Sequence, residues 1–205
     1  MERVGFKEWA LVCDALARGA QSILLRKGGI AEGRAGFSFR HQEFFLFPTF
    51  FHEQVEKTRG THYEIFAPPK GKIELCIFAK IDFAGVVASW ETAVDLEPFH
   101  IWQREVVRER FEYDDAPGIH IAVIRAYRLS EPWIIPNLPA YGGCRSWISL
   151  PEGPLTTLLL PVLSEAEHQK RLEEVKHLLA CASSAAPGST GWQSVLPVTS
   201  TPTES

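Results

Sequence analysis

Ile119-His120-Ile121-Ala122-Val123-Ile124-Arg125-Ala126-Tyr127-Arg128-Leu129 reads as a long β-strand. Side chains alternate along a strand, so Ile121, Val123, Arg125 and Tyr127 share one face and Ala122, Ile124 and Ala126 the other. A run this apolar on both faces belongs inside a sheet. Shorter runs flank it: Ser22–Arg26, Phe37–Arg40, Phe44–Phe47, Ile73–Phe78, Phe83–Ser89 and Cys144–Leu150. In all, the pattern is one of about eight strands. Helical signals are fewer. Trp9, Val12, Cys13 and Leu16 recur at helical spacing before Gly19, which predicts a helix over residues 6–18 with a glycine cap. Thr49 is placed to cap a short helix over Phe50–Glu56. Arg104–Phe111 reads as a charged helix with Val106, Val107 and Phe111 inward. Ser164-Glu165-Ala166-Glu167 is a capping box opening a helix to about Ala182. Pro68, Pro69 and Gly71 mark residues 57–72 as mainly loop, and Pro132, Pro136 and Pro139 mark 131–143 as an extended loop.

Strands and helices do not alternate as βαβ units. The fold class is therefore α+β, with a mostly antiparallel sheet, flanking helices and a C-terminal helix. By analogy a barrel-like closure reminiscent of PUA or EVE domains suits this set of strands. A single globular domain is expected over residues 1–182. The Ser-, Thr- and Pro-rich segment 183–205 is expected to be a disordered tail.

The chain of 205 residues carries a formal net charge of -4, so any nucleic-acid contact must use a local basic patch. Met1–Glu8 has charges where an export signal needs an apolar run, and no uninterrupted apolar stretch suits a membrane span. Cys13, Cys76, Cys144 and Cys181 are scattered without a Cys-x-x-Cys pair, as expected of free thiols in a cytoplasmic protein. No phosphate-binding Gly-x-x-x-x-Gly-Lys loop and no Gly-x-Ser-x-Gly elbow is present. His52-Glu53 begins like a zinc-protease helix, but Glu56 stands where the second histidine belongs. The zinc-deaminase pattern is missing, and Glu174-Val175-Lys176 lacks an acidic strand partner for nuclease chemistry. The sequence therefore implies no metal, no cofactor and no familiar catalytic constellation.

Five segments carry candidate site residues. Arg26 and Lys27 precede Gly28 and Gly29 in a stretch rich in arginine, where backbone amides could approach a phosphate; the alternative is a solvated turn. The phenylalanine-rich run Phe44–Phe51 is mostly core, yet His52 and Gln54 beside it could hold a planar ligand. His100 and Trp102 lie in Pro98-Phe99-His100-Ile101-Trp102, as buried residues or as site residues. Arg125 sits in an apolar row and needs a carboxylate partner or a pocket. Arg145 and Trp147 follow Tyr141-Gly142-Gly143, and the intervening Cys144 lacks a paired histidine to make it a nucleophile.

Six blocks in order, Leu24–Ile30, the Phe-Leu-Phe-Pro-Thr run ending in His52-Glu53-Gln54, Pro98–Trp102, Arg125–Leu129, Gly142–Trp147 and Pro161–Ser164, resemble the bacterial family catalogued as domain of unknown function 1802, over residues 6–180. The resemblance implies no established activity, cofactor or catalytic residue. Some members are joined to restriction-endonuclease-like domains, which implies a nucleic-acid or defence context. Three functions stand: a non-catalytic recognition module for nucleic acid or a nucleotide-like anionic ligand; a protein-interaction or regulatory subunit; and an enzyme on a small anionic substrate in which His52, His100 or Cys144 converges with Arg125 and Arg145.

Overall fold

The computed structural model describes residues 3–27, 37–50, 52–60, 70–113, 116–153 and 157–185, with only the backbone described at 52–54 and 182–185. The Gly28-Gly29 turn, the Pro68-Pro69 loop and the tail from residue 186 lie outside the described residues.

The described residues form an α+β fold built on a mostly antiparallel, open seven-stranded sheet with flanking helices. Its elements are β1 (Val4–Trp9), α1 (Ala10–Ala17), β2 (Ile23–Arg26), β3 (Glu43–Thr49), β4 (Lys72–Val87), α2 (Trp90–Asp95), α3 (Arg104–Phe111), β5 (Ile119–Pro136), β6 (Trp147–Ser149), β7 (Leu159–Pro161) and α4 (Glu165–Ala185), with short 3-10 turns at His52–Lys57, Glu97–Phe99 and Pro139–Tyr141. The strand order is β2-β5-β4-β3-β1-β6, with β7 added alongside β5. Only β1 and β3 run parallel among these pairs.

Alternation on β3 explains how the sheet separates two cores. Phe44 and Leu46 join Phe6, α1 and α4 residues on one face, while Phe45 and Phe47 pack with Leu75, Trp133 and Tyr141 on the other. Phe44, Phe45 and Phe47 thus belong to a central strand. Each such ring contributes roughly 2–3 kcal/mol through burial. Trp147 lies on the first face, 4.7 Å from the Phe6 ring centroid, and its indole donates to the Ser38 carbonyl.

Four expectations shift. Residues 6–18 are not one helix: β1 precedes α1, and α1 ends in a Schellman motif. There Gly19 takes φ +70°, Gly19 N–H donates to Leu16 and Ala20 N–H to Ala15. The segments around Ile77 and Phe83 form one strand, β4, kinked by irregularities near Cys76 and Asp82. β5 continues through Pro132 and Pro136. Pro132 falls between the pairs Ile77–Arg128 and Leu75–Trp133, outside the regular β4 ladder, and Pro136 ends the strand. Phe37–Arg40 is irregular rather than strand. The capping box forms as read, with Ser164 Oγ accepting from Glu167 N–H and the Glu167 carboxylate accepting from Ser164 N–H. Among the described residues no helix is long and apolar enough to cross a membrane.

Candidate functional site: a cationic seam at the end of β1

Lys7 N–H donates to Ser146, continuing the antiparallel pairing of β1 with β6. Beyond that point β6 offers no partner, and the guanidinium of Arg26, from the far edge of the sheet, donates to the Lys7 carbonyl instead. Arg26 thereby ties β2 to β1. It lies 4.8 Å from the Phe6 ring centroid and 3.7 Å from a carboxylate oxygen of Glu8. Glu8 is only 1% exposed. One of its oxygens accepts from the Trp9 amide at the start of α1, where unpaired helix amides favour negative charge. The other is buried without a hydrogen bond.

A second guanidinium reaches the same place. Arg110 stacks over Trp102 at 3.8 Å from its ring centroid and lies 5.6 Å from that of Trp9. Burial, and secondarily the nearness of Arg26, pushes its pKa down to about 10, although Glu8 acts the other way. The group still carries its charge at neutral pH. Arg110 Nη1, Arg26 Nε and Trp102 Nε1 are buried without hydrogen-bond partners. Between β2 and α3 opens a hollow of about 240 Å³ lined by Leu25, Arg26, Lys27, Glu109, Arg110 and Tyr113. Tyr113 on its rim is 60% exposed.

Lys7 extends the positive charge across the strand. Its ammonium is held by the carbonyls of Tyr141 and Gly143, the latter at φ +80°. Its pKa is lowered by burial first, while Cys144 raises it and the cations Arg145 and Arg26 lower it further. Arg145 is exposed. Lys7 also lines a broader cleft of about 510 Å³ with Phe50, Leu138 and Tyr141.

The residues singled out in the sequence separate into groups. Arg26 and Trp102 lie at the seam, and Arg145 stands within electrostatic range of it. Lys27 is beside the hollow, but its ammonium donates to the carbonyls of Phe111, Ala116 and Gly118, closing the turn between α3 and β5. His100 is 3% exposed, and its Nδ1 accepts from Trp102 N–H. Burial and the neighbouring Arg59 lower its pKa to about 3, so the imidazole is neutral. Arg125 ion-pairs with Glu165 in the first turn of α4. Trp147 is core. His52 lies in the 3-10 turn after β3, its side chain outside the described residues. His100 lines a small hollow against α2 and α3, Arg125 lines a separate one beside α1, and Arg145 lines neither. Among the described residues no group of three His, Cys, Asp or Glu side chains is placed to hold a metal ion.

The sequence marks Trp9 only as a helix residue and does not single out Glu8 or Arg110 as site residues. The signal for Arg110 was present, because it shares the helical stripe of Val106, Val107 and Phe111.

The family model described as domain of unknown function (DUF1802) matches residues 5–174. The chain belongs to this family. No curated protein matches it. Among solved structures, ASCH from Zymomonas mobilis is similar at 11% identity and a TM-score of 0.41, covering 83% of this chain and 93% of that one. A mutant of the same protein gives 12% identity and a TM-score of 0.42, covering 84% and 98%. A likeness of that degree carries no weight for function.

Proposed function

We propose that this DUF1802 chain is a non-catalytic recognition module for nucleic acid or a nucleotide-like anion, with the seam at the end of β1 as its contact. The observation that carries the reading is the crowding of Lys7, Arg26 and Arg110, with Arg145 nearby, in a protein of net charge -4. Glu8 and Glu109 offset only part of that charge. Like charges in partial burial depress one another's proton affinity, and a phosphate bound beside Lys7 and Arg145 relieves the repulsion. The exposed ring of Tyr113 adds a surface on which a base can stack. The buried phenylalanines of β3 have no part in it.

Fluorescence anisotropy with labelled single- and double-stranded RNA and DNA at 50 and 200 mM salt tests the reading. If about three phosphates are neutralised, single-strand affinity drops roughly 20-fold over that fourfold change in salt. Arg110→Gln and Arg145→Glu should each weaken binding in a folded protein. Failure of every nucleic acid to bind, or binding indifferent to salt and to both variants, would overturn it.

One observation favours a protein contact instead: the 510 Å³ cleft is rimmed by exposed Phe50 and Leu138. Self-association in light scattering that Leu138→Glu abolishes would support that reading.

A further inference from the structure

We infer that the 240 Å³ hollow between β2 and α3 receives a single unstacked base and favours guanine. This rests on the recognition reading above and assigns a base preference to it. The hollow is smaller than the pockets of roughly 300–1,000 Å³ that hold drug-sized ligands, which suits one planar base rather than a pair. Its lining divides into three functions. Leu25 and the Tyr113 ring supply apolar and aromatic surface. Arg110 supplies guanidinium N–H groups. Glu109 supplies the carboxylate.

That carboxylate decides the chemistry. Glu109 follows α3 into the hollow beside Arg110 and repels a phosphate from the same space. Phosphates are better placed outside, toward Lys7 and exposed Arg145. Inside the hollow a carboxylate seeks donors, and a guanidinium seeks acceptors. Guanine meets both needs, presenting N1–H and N2–H side by side to a carboxylate and O6 with N7 to an arginine. Cytosine and adenine each offer the carboxylate only an exocyclic amino group, and uracil only one imino N–H. A base held this way must be out of the stack, so the ligand is single-stranded at that position.

The test uses the full chain and labelled uridine octamers carrying one central guanine, adenine or cytosine, with all-uridine as reference. Guanine should bind about tenfold tighter than the others, the scale of one well-formed bidentate contact. Glu109→Gln should shrink that preference to within about twofold. Glu109 is exposed on α3, so the variant keeps the fold, which circular dichroism checks. Arg145→Glu should weaken all four probes alike. Equal affinity for the four would overturn the guanine inference and leave the recognition reading standing. A guanine preference that survives Glu109→Gln would overturn the assignment to this hollow. No binding of any probe would overturn the guanine inference, and the wider series of single- and double-stranded RNA and DNA would decide the recognition reading.

Discussion

Replacing Arg26 by methionine removes the counter-charge nearest Glu8 while keeping an apolar stem against the Phe6 ring. Glu8 is then left buried, with one oxygen already lacking a hydrogen bond and the Lys7 carbonyl deprived of its donor. Breaking a buried ion pair by deleting one partner costs about 3–5 kcal/mol. Two features reduce that figure here: the Arg26 side chain is 18% exposed, and Arg110 remains within electrostatic range of Glu8. The expected loss is about 2–3 kcal/mol, which lowers Tm by roughly 5–10 °C in a chain of this length. Urea unfolding of Arg26→Met, Glu8→Gln and the double variant completes the cycle. Because the two groups touch, the double variant should be more stable than the sum of the single effects by about 1–2 kcal/mol. An Arg26→Met protein within about 0.5 kcal/mol of the parent would refute the seam as a structural tie. So would single effects that simply add.

Other perturbations reach separate parts of the fold. His100 has a folded pKa of about 3 against an ordinary 6.5, so below that ordinary value the unfolded chain binds a proton that the folded chain does not. Its contribution is complete above about pH 6.5 and falls as pH drops, by up to about 1.4 kcal/mol per pH unit. In His100→Asn the amide oxygen can take over the Trp102 N–H, and urea titrations between pH 6 and 4 should lose close to one proton of slope; an unchanged slope contradicts the assignment. Gly19→Ala forces a side chain into φ +70° with its Cβ 2.7 Å from Leu163 Cδ2, and should cost about 2 kcal/mol in thermal unfolding. Lys27→Met opens the clamp on three carbonyls and should cost about 1–2 kcal/mol by the same measurement. Ser164→Ala removes the cap of α4 and should cost about 1 kcal/mol.

Where local physics decided the structure, the sequence was readable. The Ser164 capping box, the amphipathic stripe of α3 and the double-faced apolar run of β5 each carry their cause within a few residues. β1 was hidden because its inward face holds only Val4, Phe6 and Glu8, a short alternation interrupted by a charge. Glu8 is tolerated there by Arg26, Arg110 and the start of α1, all of which come from elsewhere in the fold. β5 outran the expected stop at Pro132 because an irregularity in the pairing removes the need for an N–H at that point. The seam was half legible. Arg26 stood out by local charge, whereas its meeting with Arg110 depends on how α3 packs against the end of β2. For Arg125 the carboxylate alternative holds, and the partner, Glu165, is supplied by α4 from a distant part of the sequence.

The placement of β1 between β3 and β6 also constrains how the chain can mature on the ribosome. Val4 pairs with Ser149 and Phe6 with Trp147, so one flank of β1 waits until the chain has been made through Ser149. At about 5–20 residues per second that delay is on the order of ten seconds. Throughout it, β1 can dock on β3 but presents an unpaired edge beside the Lys7 carbonyl. Arg26 reaches that carbonyl only once β2 is seated on β5, where it pairs with His120, so the arginine closes this edge late, shortly before β6 is made.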